Sequence, residues 1–335
     1  LLILLVGLFL FDIASAAVVI SPTNSVYNIG DNFDLAISVK PAKDTKDFFV
    51  AAFVCQARAI EIYRSPMSLV AGEEKIVTIS TTLDNFIIGG INGDCFIRAD
   101  YGEETATGKA FTITGNIDVT FDVEAVSYNP GSDVKIVGKA VKSNGQNLNG
   151  FIEITIPELS YSSTTSTENG DFNVAFSLPA DAAAGSFQVQ ARAYEIGSDG
   201  SVSNEGKNNA ALKINQVMKK IEVALDSESV KPEDKLNYNV VAYDQSGQNI
   251  VADASVSLIS TSGEEVEKKL VKTGESAEFS IRSNYAPGSW QVYAKVDSME
   301  SRRKFTVEEL EKVSFSLEDK TLTVTNIGNV PFSGP

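Results

Sequence analysis

Histidine is missing altogether from this 335-residue chain. Its absence removes the commonest general base, the commonest zinc ligand and every Ser-His or Cys-His nucleophile pair. Cysteine is nearly missing as well, with two residues in the whole sequence, Cys55 and Cys95. Two thiols without a histidine cannot fill the tetrahedral shell of a zinc site. Basic residues are in deficit, 28 against 44 acidic ones, for a formal charge of −16. Phosphates would be repelled by that balance, so a nucleic-acid partner is excluded from the expectations. No Asn-x-Ser/Thr acceptor occurs, so N-linked sugar is not expected. Leu-rich helical runs are scarce after the first ten residues. The reading is of a non-enzyme that needs no cofactor.

Hydrophobic residues still make up 43 % of the chain, enough for packed cores. The opening LLILLVGLFLFDIASAA has an apolar run from Leu1 to Phe11 followed by Ala14-Ser15-Ala16. A bilayer needs about 20 apolar residues, so this run is too short to span one. It matches the core and cleavage site of a secretory signal peptide occupying 1–16, with its front end lacking. The mature protein is therefore expected to begin near Ala17 and to be extracellular or at the cell surface.

The body of the chain repeats itself. GDCFIRADYG from Gly93, GSFQVQARAY from Gly185 and GSWQVYAKVD from Gly288 are versions of one phrase. A second phrase lies upstream of each: YNIGDNFDLAISV from Tyr27, YNPGSDVKIVGKA from Tyr128 and VKPEDKLNYNVVA from Val230. Their turn positions, Gly30, Gly131 and Glu233, are spaced 101 and 102 residues apart. After each turn comes period-2 alternation, as in Phe33, Leu35, Ile37 and Val39, the pattern of a strand with one buried face. The second repeat reads as strands at 117–126, 133–141, 150–156, 159–167, 171–177, 186–194 and 208–214, separated by Asn/Gly/Pro turns.

Some seven short strands per roughly 100 residues describe an immunoglobulin-like sandwich. The fold expected is all-β: tandem Ig-like β-sandwich domains in an elongated array. The boundaries are 17–115, 116–215 and 216–309, with 310–335 starting a truncated fourth β domain. Nearly absent linkers and strands of about eight residues suggest a rod on the order of 100 Å.

Alternation also assigns side chains. Cys95, Phe187 and Trp290 take the same inward position of the repeated phrase. Cys55 shares a face with Phe53 in FFVAAFVCQA. Two inward cysteines in one module of an exported protein point to a Cys55–Cys95 disulfide, the alternative being two buried reduced thiols.

Other features carry two readings. Asp31, Asp133 and Asp234 recur beside the turn positions and could offer oxygens to Ca²⁺ between modules, or simply satisfy turn N–H groups, the favoured reading. Tyr161, Tyr194, Tyr285 and Tyr293 could form a sugar-stacking platform or serve as cross-strand and core fillers. SYSSTTST, 160–167, alternates as an edge strand, and Arg302-Arg303-Lys304 suits a guarded sheet edge.

YNPGSDVKIVGKAV, NGDFNVAFSLP and GSFQVQARAY together resemble the macroglobulin-type and bacterial Ig-like repeats of prokaryotic exported surface proteins. The tail TLTVTNIGNVPFSGP is similar to the opening of CARDB and NEW3-type Ig-like domains. The resemblance implies a stalk or adhesive scaffold whose partner is an extracellular protein or glycan, with membrane or cell-envelope anchoring through further C-terminal sequence. Two other functions are compatible with it: spacer modules of a secreted hydrolase or macroglobulin-like protease trap, or a carbohydrate-binding module. The thioester macroglobulins carry a reactive cysteine in a Gly-Cys-Gly-Glu-Gln loop; no cysteine follows Cys95, so that activity is not carried over.

Overall fold

The computed structural model describes residues 17–21, 23–56, 58–90, 92–167 and 169–333. The leader expected over 1–16 lies outside the described residues. The chain divides into two compact units: its described residues up to Ala125 with 134–176 and 187–212, and 126–133 with 177–186 and 213–333. Among the described residues, no helix is long and apolar enough to cross a membrane.

The first unit begins with β1 (Ala17–Ile20), β2 (Val26–Asn28), β3 (Asn32–Lys40), β4 (Thr45–Cys55), β5 (Arg58–Leu69) and β6 (Lys75–Thr82). A single helical turn, α1 (Asn85–Ile88), precedes β7 (Gly93–Tyr101), β8 (Glu104–Thr107) and β9 (Phe111–Thr114). One sheet runs β1-β3-β6; the other runs β2-β9-β7-β4-β5, with β8 on β7. The alternating residues of β3 drive their closure. Phe33, Leu35, Ile37 and Val39 are all buried in one core with Phe49, Phe53, Ile97 and Phe111. Phe33 sits 4.9 Å from Phe53 and 5.5 Å from Phe111 between ring centroids, so aromatic contacts cross from sheet to sheet. Each such fully buried side chain stabilises by about 1.5–3 kcal/mol relative to exposure.

The same unit holds most of a second sandwich: β10 (Ile117–Val123), β11 (Asp133–Lys142), β12 (Phe151–Ile156), β13 (Tyr161–Ser166), β14 (Asp171–Ser177), β15 (Gly185–Ile196) and β16 (Val202–Ile214). Its sheets are β10-β11-β14 and β13-β12-β15-β16. Val134 and Ile136 from the first, and Ile152, Ile154, Val189 and Ala191 from the second, are buried. The Ser/Thr strand β13 lies at a sheet edge, as its alternation suggests. The one clear difference from the expected strands is β16, which starts at Val202 rather than at 208. Ser203, Asn204 and Gly206 disguise its first six residues as loop. The Cβ that Gly206 lacks would fall 1.9 Å from the Ile117 carbonyl, so here glycine marks close backbone approach within a strand.

The second unit contains β17 (Met218–Leu225), β18 (Ser229–Val230), β19 (Lys235–Asp244), β20 (Asn249–Ile250), β21 (Asp253–Ile259), β22 (Glu265–Lys272), β23 (Ser276–Ser280), β24 (Gly288–Val296) and β25 (Met299–Val307). Its sheets run β17-β19-β20, with β23 on β19, and β18-β25-β24-β21-β22. Leu236, Tyr238, Val240, Phe279, Trp290 and Val292 share its core. A separate hairpin, β26 (Val313–Glu318) with β27 (Thr321–Asn326), leaves Phe315, Leu317, Leu322 and Val324 exposed.

The repeat read from the sequence has a backbone counterpart. Gly30, Gly131 and Glu233 all adopt left-handed φ, at 93°, 80° and 76°. The entering strand also switches sheets each time. After antiparallel pairing of β1, β10 and β17, a parallel contact follows at β2–β9, Tyr128–Ile214 and β18–β25. The architecture is all-β, a series of Ig-like β-sandwiches.

Candidate functional site

The densest buried polar arrangement in the first unit lies where the β2–β3 turn, the end of β11, the end of β15 and the start of β16 converge. Local sequence explains each arm. The Asn28-Ile29-Gly30-Asp31 turn closes through the Asp31 N–H donating to the Asn28 carbonyl at 3.1 Å. Ser143-Asn144-Gly145 turns the chain sharply after β11, with Gly145 at φ 86°. That turn lays Asn144 over Asp31. Gly115, whose absent Cβ would sit 2.8 Å from the Ser203 carbonyl, lets the chain pass close beneath β16.

The side chains then satisfy one another. Asn28 and Asn204 are fully buried, and Asp31 and Lys142 nearly so. The Asn28 amide donates to Asn204 Oδ1 at 3.0 Å and to the Asn116 carbonyl at 2.9 Å. Asn204 Nδ2 donates to the Ile29 carbonyl at 2.7 Å and to Glu195 Oε2 at 2.8 Å. Asp31 Oδ2 accepts from the Asn28 backbone N–H at 2.7 Å and from Asn144 Nδ2 at 2.6 Å. The Lys142 ammonium lies 3.3 Å from Asp31 Oδ1 and 3.7 Å from Glu195 Oε2. Two clefts flank that ammonium. One of about 570 Å³ is lined by Asn24, Tyr27, Asp31, Asn144 and Gln146. The other, of about 230 Å³, is lined by Asp84, Asn85, Glu195 and Asp199. Removing one partner from such a network leaves buried donors or a buried charge uncompensated, which is the costly case.

The residues singled out in the sequence are distributed as follows. Cys55 and Cys95 face each other in the β4–β7 register and are joined by a disulfide. Asp31 accepts from a turn N–H, as a turn aspartate should, but also belongs to the network just described. Asp133 is exposed and accepts from the Ser177 hydroxyl at 2.6 Å, while Asp234 is exposed in its turn. Among the described residues, no three Cys, Asp or Glu side chains gather as a metal site would require.

Each of the four tyrosines has its own partner. Tyr161 stacks on Phe176 at 4.1 Å, Tyr194 on Phe151 at 5.4 Å and buried Tyr285 on Trp290 at 4.7 Å. Arg302 lies over Tyr293 at 4.8 Å. Cys95 and Trp290 are buried, whereas Phe187 is half-buried, lying beyond the Gln190–Tyr194 stretch that pairs with β12.

The outward face of the β12–β15 pair carries a second constellation. Arg192 lies 4.7 Å over the Tyr194 ring and contacts Glu205 at 3.0 Å and Glu153 at 3.4 Å. The hydrogen bond from Arg192, helped by one from Lys207, holds the Glu205 carboxyl below its ordinary range. In the second unit, Asp244 and Gln245 do structural work. Gln245 Nε2 donates to the Ala182 and Asn215 carbonyls at 2.9 and 3.2 Å, and its Oε1 accepts from the Val217 N–H at 2.9 Å. Burial pushes Asp244 up most, but hydrogen bonds from Gln216, Ser246 and the Gln248 N–H outweigh it, and the net direction is down.

Sequence reasoning located Asp31 but not Lys142, Glu195, Asn28 or Asn204. Asn28 and Asn204 are 176 residues apart, and no local pattern pairs them.

Among solved structures, the chain is similar to trypsin-activated alpha-2-macroglobulin from Escherichia coli, at 11 % identity over 90 % of this chain and 25 % of that one, with a TM-score of 0.26. Salmonella alpha-2-macroglobulin reacted with methylamine aligns at 13 % identity over 93 % of this chain and 25 % of that one, with a TM-score of 0.25. The three N-terminal domains of the Highly Immunogenic Outer Capsid protein of bacteriophage RB49 align at 10 % identity over 88 % and 99 %, with a TM-score of 0.35. The chain spans about a quarter of the length of the macroglobulins. No family model matches it, and comparison with curated proteins finds no match.

Proposed function

We propose that this chain is a non-enzymatic, extracellular scaffold of Ig-like modules, spanning 17–115, 116–215 and 216–309, in a prokaryotic cell-surface protein used for adhesion or surface display. The observation that carries this reading is the buried network of Asn28, Asp31, Lys142 and Asn204. It joins the β2–β3 turn of one sandwich to β11 and β16 of the next, so specialised side chains serve to hold sandwiches together. The Cys55–Cys95 disulfide supports an oxidising compartment. The tail hairpin fits the opening of a further CARDB-like domain. Membrane-impermeant biotinylation of intact source cells tests the location. Capture of the full protein from unbroken cells is expected; labelling only after lysis, or recovery only from the medium, overturns the surface reading.

A glycan ligand is favoured by one observation, the outward Phe151–Tyr194 pair. Phe151 is 39 % exposed and beside Arg192 and Glu153, which provides a flat ring next to hydrogen-bonding groups. Calorimetric titration of polysaccharides against the wild type and Tyr194→Ala tests it. Heat that vanishes in the variant supports it, and no heat with any glycan removes it.

A further inference from the structure

Lys142 is unlike the other cations of the protein. Among the ion pairs of the described residues, every other lysine or arginine keeps at least 34 % of its side chain exposed, whereas Lys142 keeps 9 % and its partner Asp31 keeps 7 %. Holding an ammonium and a carboxylate out of water is costly. Joining them as a neutral amide removes both charges and leaves one polar bond in their place.

The geometry around the pair suits that condensation. Lys142 Nζ is 3.3 Å from Asp31 Oδ1, so the nitrogen is held in direct contact with the carboxyl group whose carbon it would attack, the positioning that makes such a reaction effectively unimolecular. Asp31 Oδ2 faces two donors, the Asn28 backbone N–H at 2.7 Å and Asn144 Nδ2 at 2.6 Å. Such a donor pair polarises the carboxyl and stabilises negative charge on that oxygen in a tetrahedral intermediate. Glu195 Oε2 is 3.7 Å from Nζ and is held there by the hydrogen bond it accepts from Asn204 Nδ2 at 2.8 Å. It is placed to accept a proton from the ammonium and return one to the departing oxygen.

We propose that Lys142 and Asp31 form an intramolecular isopeptide bond, with Glu195 as the catalytic proton carrier and Asn204 as its positioning residue. Glu195 takes a proton from the ammonium and passes it to Asp31 Oδ1, giving a neutral amine beside a neutral carboxylic acid. Nζ attacks Asp31 Cγ and charge collects on Oδ2, opposite its two donors. Nζ releases a second proton through Glu195 to Oδ1, the Cγ–Oδ1 bond breaks, and one water leaves through either flanking cleft. Ammonium plus carboxylate becomes amide plus water, with no oxidant, reductant or cofactor. Oδ2 remains as the amide oxygen and keeps both hydrogen bonds. The chemistry does not depend on where the protein resides or what it binds.

Intact-mass spectrometry of the reduced, denatured full chain, followed by proteolysis and fragmentation, tests it. The wild type is expected to be lighter than its sequence by one water and to yield a branched peptide joining Asp31 to Lys142. Lys142→Arg, which keeps the positive charge but cannot form this amide, and Asp31→Asn are read beside it. Full mass in Lys142→Arg and a markedly slowed loss of water in Glu195→Gln support the assignment. The proposal is overturned if the folded wild type, incubated for days at neutral pH, keeps its full mass. It is equally overturned if water is lost while Asp31 and Lys142 appear only in linear peptides. Both overturning results are read on the wild type, so they stand even if a variant fails to fold.

Discussion

Asn204→Ala isolates the buried network from the apolar cores. Asn204 is fully buried and makes three strong contacts: to the Ile29 carbonyl at 2.7 Å, to Glu195 Oε2 at 2.8 Å and from Asn28 Nδ2 at 3.0 Å. The two neutral bonds contribute about 1 kcal/mol each and the one to a carboxylate about 1.5–3 kcal/mol. Their sum is an upper bound, because Asn28 Nδ2 keeps the Asn116 carbonyl and Glu195 can take up water from the adjoining cleft. The expected loss is about 2–4 kcal/mol, well beyond the ±0.5 kcal/mol of an ordinary surface change. Exposed Asn209→Ala is the matched control. The assay is native-state hydrogen exchange of amides closed by the same turn, those of Ile29, Gly30 and Glu205, whose acceptors are Thr114, Leu83 and Gly115. A loss of that size lowers their protection roughly thirtyfold to a thousandfold, since each 1.4 kcal/mol is a factor of ten. An Asn28→Ala/Asn204→Ala cycle should return a coupling of about 0.5–1.5 kcal/mol. Protection in Asn204→Ala equal to that in Asn209→Ala refutes the argument that this cluster holds the sandwiches together.

Three further outcomes are expected. Cys55→Ser/Cys95→Ser opens a link of sequence separation 40 and should lower stability by about 4 kcal/mol in the chain-entropy model, read as an earlier urea midpoint for the first unit; an unchanged midpoint contradicts it. Glu233→Gly relieves a non-glycine residue at φ 76° at the cost of one exposed ion pair with Lys312, and should raise the thermal midpoint by the equivalent of about 0.5–1 kcal/mol. Gly30→Ala, with open space around its missing Cβ but φ 93°, should lower it. Asp244 has a folded pKa below its usual value, so its stabilisation is complete above about pH 4 and is lost as pH falls through the folded value. Acid unfolding followed through Trp290 fluorescence should therefore lose part of its pH dependence in Asp244→Asn, and an identical acid transition rejects that role.

The fold was legible because one physical rule, a buried face on every second residue, was written three times. Leu35, Ile37 and Val39 declare β3, and Trp290, Val292 and Ala294 declare β24, from alternation alone. Turn chemistry located the chain reversals, down to the left-handed residue at 30, 131 and 233. Glu233 shows that position to be a demand of the backbone rather than of glycine. The rule failed where side-chain chemistry and backbone geometry separate. The start of β16, VSNEGK, has loop composition, but its Gly206 is required by the Ile117 carbonyl and its Asn204 by partners far off in the chain. Propensity records neither.

The buried network was nevertheless within reach of the same rule, carried one step further. Asp31 has the parity of Phe33 and Leu35, Lys142 that of Ile136 and Ala140, Glu195 that of Ala191 and Ala193, and Asn204 that of Leu212 and Ile214. Asp31, Lys142 and Glu195 continue the inward face just past the apolar stretch of the strand, and Asn204 turns inward again at the far end of β16, beyond exposed Asn208. A polar residue there is ordinarily read as the place where a strand runs out into water, and taken singly each of these would be. Four inward-facing strand ends that all turn polar, two acidic, one basic and one amide, form a complementary set. Its hydrogen-bonding needs close on themselves once the ends are brought together, as they are around Lys142. Complementarity among strand ends, read across repeats rather than along one strand, is thus the signal by which a joint between sandwiches can be told from a frayed edge.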